Sequence, residues 1–328
     1  MGHPVNRREC LALLGVIAAL PASVQAQPDA TRRLGVLSVT AAEDAIGQAR
    51  STILVEALAG HGWKERDNLR IDWRSGGGDR AKIARFADEL VALKPDILLA
   101  VGTPSVEELR QRTTTIPIVF AVVTDPVSQG FVKNLAHPGG NVTGFTDYDG
   151  PLAGKWLEML TQVTPPVRRV FVVYNPETAP FAPLMLRTLE DAGRTLHVPV
   201  EPAPVSDSGS IAALASRKEG GLLVLPDFFT MANRAQLLAV IGEARLPAVF
   251  WSRTFVEEGG LMSYSTDSAE QLRRAASYID RILRGARAAD LPVQNPTKFE
   301  LTINLKTAKA LGITLSAGLL AIANDVIE

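Results

Sequence analysis

Residues 94–135 read KPDILLAVGTPSVEELRQRTTTIPIVFAVVTDPVSQGFVKNL, and the fold follows from how this stretch is punctuated. Two apolar runs, Ile97–Val101 and Ile118–Val123, carry no polar alternation and are too short for helices. That is the pattern of strands covered on both faces of a parallel sheet. The first run stops at Gly102-Thr103-Pro104 and the second at Thr124-Asp125-Pro126. In both, a small polar residue able to cap a helix stands directly before proline. Proline suits the first helical position, where an N–H would have been unpaired. The spacing predicts a helix at each strand's C-terminal end, and a third junction of the kind at Asn175-Pro176. That edge of an open parallel sheet is where ligands bind, and the free N–H groups of helix starts are anion donors. Three junctions of one type predict one polar cleft.

Upstream, residues 34–39 read as a strand, 46–60 as a helix with Ile53, Leu54, Ala57 and Leu58 on one face, and 69–73 as a second strand. Asp79 caps a helix whose buried stripe is Ile83, Phe86, Ala87 and Leu90. Downstream, the turn-rich residues 137–144 (HPGGNVTG) predict a first crossing between two lobes. A second βα series follows, with strands at 170–174, 198–201, 222–225 and 248–251 and helices at 151–163, 181–196, 210–216 and 231–244. Gly259-Gly260 predicts the return crossing, and Ser268 with Gln271 a capping box opening a helix that stops at Gly285. One strand, 299–303, and two short helices complete the tail. The chain therefore reads as an α/β protein of two Rossmann-like lobes. Residues 31–145 plus about 260–290 form the N-terminal lobe, and 146–259 plus about 291–328 the C-terminal lobe.

At 328 residues and 46% hydrophobic the chain can bury two cores. With 34 Lys and Arg against 35 Asp and Glu, it lacks the basic footprint of a nucleic-acid binder. Residues 1–26 read as a signal peptide: Arg7 and Arg8, an apolar run over 11–20, Pro21, and small residues at Val24-Gln25-Ala26. The run is too short to span a bilayer, which takes about 20 residues. The pattern fits Sec export, and the order Asn6-Arg7-Arg8 also resembles a twin-arginine signal. Cys10 is the single cysteine and falls within this segment, so the mature chain has no disulfide and no thiol ligand.

Motifs for chemistry are missing. The four histidines, His3, His61, His137 and His197, have no metal-ligand spacing, and there is no G-x-S-x-G elbow. Residues 150–156 (GPLAGKW) are one residue short of a phosphate loop, and Gly76-Gly77-Gly78 reads as a turn. No metal, cofactor or catalytic pair is predicted. What remains is a polar set at C-terminal strand ends: Thr40, Thr103, Ser105, Thr124, Asp125, Asn175, Asp227 and Ser252. Backbone N–H groups at Thr103 to Ser105 are expected to take a carboxylate, and Asp125 or Asp227 to face an ammonium. That pairing describes an amino acid or similar zwitterion. Phe228, Trp251 and Tyr264 are placed to supply an apolar wall. Thr103, Asp125 and Asn175 also read as plain helix caps, each worth about 1 kcal/mol. If Asp125 and Asp227 hold ligand, alanine at either weakens binding and leaves the thermal midpoint nearly intact.

Four segments, AVGTPSVEELR (100–110), IPIVFAVVTDPVSQGFVKNLAHPGGNVTG (116–144), VVYNPE (172–177) and PTKFELTINLKTAKALGITL (296–315), resemble the ABC-transporter substrate-binding proteins of the tryptophan/tyrosine-type group. The resemblance runs from about Arg33 to the C-terminus. It implies a type 1 periplasmic-binding fold, two lobes of parallel sheet joined by a three-segment hinge and closing on a buried ligand. It places ligand contacts on Thr103, Pro104, Thr124, Asp125, Asn175 and Asp227. It further implies a periplasmic monomer that serves an inner-membrane ABC permease. Two departures stand out. Residues 39–43 (VTAAE) carry no glutamine or histidine where amino-acid-binding members have one, and Thr178-Ala179-Pro180 replaces an Asn-Ser pair. The expected cargo is therefore a small polar or zwitterionic organic molecule, amino-acid-like or a carboxylate. The same cleft would also serve a sensor for a membrane kinase or chemoreceptor, or less readily an exported enzyme.

Overall fold

The computed structural model describes residues 31–148, 150–217 and 219–328. The expected signal at 1–26 lies outside the described residues. The first sheet has five strands, β1 (Arg32–Ser38), β2 (Leu69–Ser75), β3 (Ile97–Val101), β4 (Ile118–Val123) and β5 (Val142–Thr146). They run parallel in the order β2-β1-β3-β4-β5. Helices α1 (Ala45–Gly60), α2 (Arg80–Ala92) and α3 (Thr103–Arg112) connect them. Successive strand residues point to opposite faces, so a doubly covered strand feeds two cores. Ile97, Leu99 and Val101 join Leu54 and Leu58 of α1, whereas Leu98 and Ala100 join Ile83 and Leu90 of α2.

The second lobe runs through α4 (Gly150–Leu160), β6 (Val163–Thr164), β7 (Val170–Tyr174), α5 (Ala182–Leu196), β8 (Val200–Pro204), α6 (Ser208–Ala213), β9 (Gly221–Val224), α7 (Phe228–Ala232), α8 (Arg234–Ala244), β10 (Ala248–Phe250), α9 (Arg253–Glu257) and β11 (Met262–Thr266). Then α10 (Ser268–Leu283) returns to cover the first sheet, placing Leu272, Ala276 and Ile279 on the α1 side. Its Asp280 accepts a 2.9 Å bond from Trp63 Nε1. The tail holds β12 (Phe299–Asn304), α11 (Leu305–Leu311), β13 (Thr314–Leu315), α12 (Ala317–Ala321) and β14 (Asp325–Ile327). The second sheet is ordered β14-β12-β11-β10-β9-β7-β8, with β12 antiparallel to β11, and β6 and β13 form a separate antiparallel ribbon.

Several sequence expectations are corrected here. Of the three predicted junctions, only that of β3 is followed at once by a helix. That helix begins at Thr103, with Gly102 as N-cap and no side-chain cap, so Pro104 sits one position further in. After β4 there is a turn: Asp125 has φ +41° in place of the extended backbone of an N-cap, and its Oδ1 accepts from Ser128 N three residues on. After β7, Asn175 Oδ1 accepts from Glu177 N and its carbonyl from Ala179 N, and α5 waits until Ala182. The return crossing does not fall at Gly259-Gly260. Strand β11 beyond it still belongs to the second sheet, and the chain leaves at Asp267. The cap of α10 is likewise Asp267, not Ser268, because Asp267 Oδ1 accepts from Ala269 N and Glu270 N. Gln271 is thereby free for another task.

Candidate functional site

Where the chain passes between lobes, three segments are tied by one polar network. After β5, Asp147 N donates to Val123 O (2.8 Å) and Tyr148 O accepts from Asp125 N (3.0 Å). The Asp147 carboxylate, 3% exposed, accepts from Thr266 Oγ1 and from Gln271 Nε2 (2.9 Å). Gln271 Oε1 accepts from Val122 N at 2.9 Å. The third segment joins through Thr146 N to Gln294 O (3.0 Å) and Thr146 Oγ1 to Asn295 Oδ1 (2.9 Å). Val122, β-branched, sits at φ +58° where the β4–β5 register slips, a conformation that needs such external support. Burial pushes the Asp147 carboxyl up from its ordinary value, opposed by the Thr266 and Gln271 bonds and by the charge of Arg50.

The lobes meet along the C-terminal ends of their strands. Gly102, at φ +93°, lets the first lobe come close: a Cβ there would stand 2.7 Å from Val39 and 2.9 Å from Phe228 of the opposite lobe. Arg234 of α8 reaches Asp44 at 3.6 Å across the same boundary. Between the lobes a residual cavity of about 10 Å³ is lined by Thr103, Thr124, Asp147, Thr178, Phe228 and Trp251, among others. Tyr148 and Trp251 stack edge-on at 6.3 Å, Phe228 and Trp251 at 6.2 Å, and Tyr148 Oη donates to Trp251 O. Two larger cavities open beside it. One, of about 190 Å³, is lined by Arg50, Asp147, Tyr148, Trp251, Ser252 and Thr266 among others. The other, of about 370 Å³, lies under α1 with Thr40, Arg50, Leu54 and Trp73 in its wall.

The positions picked from sequence separate in this frame. Thr103 and Thr124 meet at the cleft, Thr124 N donating to Thr103 Oγ1 (3.4 Å), and Thr40 and Ser252 line the neighbouring cavities. The helix start they were to share offers little, since Pro104 has no N–H and Ser105 N is donated to Gly102 O. Ser105 Oγ is turned to Val101 O. Asp125 is spent on its turn. Asp227, wholly buried, accepts from Asn175 N (2.6 Å), Phe229 N (2.9 Å) and Thr178 Oγ1, so it caps α7 and pins the β7 end where an ammonium was expected. Burial pushes its carboxyl up to about 6 against the pull of those bonds. Tyr264 stacks on Phe299 at 5.5 Å and forms no part of the cavity walls described above. Residues that the sequence reading missed are Arg50, Asp147, Tyr148, Thr178 and Gln271. Arg50 left a readable trace, a charge one turn before Leu54 on the buried stripe of α1.

Two α/β lobes facing each other along their C-terminal strand edges and joined by three crossings define a two-lobe solute-binding protein of the periplasmic-binding type. A sequence model of the family described as ABC transporter substrate binding protein matches residues 36–327, and the chain belongs to that family. A curated tyrosine-binding protein of Clostridioides difficile (strain R20291) is 29% identical over 260 residues, spanning 78% of this chain and 74% of that one. Among solved structures, a conserved domain protein of Vibrio cholerae superposes with a TM-score of 0.83 at 29% identity, covering 90% of this chain and 99% of the other. An ABC domain of Streptococcus pneumoniae in complex with L-Trp superposes at 0.83 with 26% identity, covering 91% and 100%.

Proposed function

We propose that this protein is the solute receptor of an ABC importer, exported ahead of use, and that its lobes close on a small zwitterionic, amino-acid-like molecule. The observation that carries this reading is the cleft itself, where the buried Asp147 carboxylate stands among the rings of Tyr148, Phe228 and Trp251. A carboxylate beside aromatic walls suits an ammonium carried on an apolar molecule. The tyrosine-binding and tryptophan-bound relatives point the same way. The chemistry needed is capture and release, for which the hinge network supplies pivots. No helix among the described residues is long and apolar enough to cross a membrane.

Thermal-shift screening of the purified protein against amino acids, arylalkanoic acids, amines and sugars tests the reading. A ligand at 100 times its Kd adds about 2.7 kcal/mol. Stabilisation by L-Tyr, L-Trp or another α-amino acid supports the proposal, and stabilisation by sugars alone overturns it. The importer half is tested by ATP hydrolysis of the reconstituted permease, which should rise on adding loaded receptor.

A further inference from the structure

We propose that Arg50, together with the Trp251 indole, forms a built oxyanion site that takes the carboxylate of an apolar organic acid. The proposal rests on the reading of the cleft as a small-solute site and adds the group that binds the ligand's negative end. Arg50 Nε and Nη1 and Trp251 Nε1 are buried and have no hydrogen-bond partner. A buried guanidinium left unpaired is costly, and a buried indole N–H ordinarily finds an acceptor. The two side chains come from opposite lobes, α1 and the end of β10, and line the same 190 Å³ cavity. An acceptor placed there would engage both lobes at once. Arg50 also forms part of the wall of the 370 Å³ cavity, whose Val36, Leu54, Trp73, Val101 and Leu272 make it mainly apolar. That volume is within the range of small-molecule sites.

The nearby charges do not already satisfy Arg50. Asp147 and Asp44 act on it electrostatically, but neither forms an ion pair with it within 4 Å; Asp147 is held by Thr266 and Gln271, and Asp44 faces Arg234. With Asp147 close by, the arrangement is an anion site and a cation site side by side. A ligand with an apolar side chain, a carboxylate and an ammonium matches it.

Calorimetry with four probes, L-tyrosine, L-tryptophan, 3-(4-hydroxyphenyl)propionate and tyramine, tests the site in wild type, Arg50→Met and Trp251→Phe. The expected result is binding of the carboxylate-bearing probes, weak or no binding of tyramine, and a loss on the order of a hundredfold in Arg50→Met. Trp251→Phe should lose about tenfold. The unliganded Arg50→Met protein should melt no lower than wild type, because an unpaired buried charge has been removed. Carboxylate probes that bind Arg50→Met as well as wild type overturn the proposal. So does a clear fall in the unliganded melting point, which would make Arg50 the structural partner of Asp147. Binding of the propionate without either amino acid would keep the anion site while failing the zwitterion reading. Tyramine binding best would overturn the anion site and leave the cleft reading standing. No binding of any probe overturns both.

Discussion

Arg50, half-buried with its Nε and Nη1 enclosed, and Asp227, wholly buried, are both charges on the facing edges of the two lobes, yet they differ in their partners. Asp227 accepts three hydrogen bonds from its own lobe and stitches the ends of β7 and β9 to the start of α7. Arg50 has two buried nitrogens with no partner. A saturated charge is part of the scaffold, and an unsaturated one is poised toward something that arrives later. Position at a strand end does not separate the two cases. Hydrogen-bond saturation does.

The contrast is sharpest in stability. Asp227→Ala strands the N–H groups of Asn175 and Phe229 and the Thr178 hydroxyl, and should cost about 4 kcal/mol at pH 7 in denaturant unfolding. A variant that unfolds at the wild-type midpoint would return Asp227 to the ligand site. The pH dependence follows from its raised carboxyl. The folded value of about 6 lies above the ordinary 3.8, so the folded state holds the proton more tightly. That contribution is full below pH 3.8 and is lost as pH rises through 6, a change of about 3 kcal/mol. The gap between wild type and Asp227→Ala should therefore be wider at pH 4 than at pH 7, and equal gaps would show that Asp227 does not titrate in this window. Gln271→Leu removes the acceptor for Val122 N and a donor to Asp147, with an expected loss of about 2 kcal/mol and weaker ligand binding. Unchanged affinity would remove the hinge network from the closing motion. Asp125→Ala touches one turn bond and should cost about 1 kcal/mol with affinity unaltered.

The fold was legible because apolar strands announce themselves locally. The runs 97–101 and 118–123 are strands at those positions, and the stripe of α2 is where Ile83 and Leu90 place it. The capping devices were harder to read, since a Thr-Asp-Pro string permits a helix, an Asx turn or a crossing. At Asp125 the positive φ decided the matter, and that depends on β5 pairing beside it. The site was only partly legible for a related reason. Thr103 and Thr124 could be placed from their strand ends, whereas the partners of Asp227 lie 49 and 52 residues away in the chain. The Asp147–Gln271 contact spans 124 residues. Which carboxylates are satisfied is a property of such distant pairings.

The placement of α10 governs the order in which the molecule can be made. It packs over α1 and β4, with Trp63 bonded to Asp280 across 217 positions of sequence. During synthesis the first five strands emerge long before α10, so the part of that flank over β4 and β5, which α1 does not cover alone, waits until residue 283 has left the ribosome. Closing a loop of that length is slow compared with local helix formation. The second lobe can assemble β7 to β11 earlier, but its strands β12 and β14 follow α10 in the chain, so neither lobe is complete until the C-terminal tail has emerged.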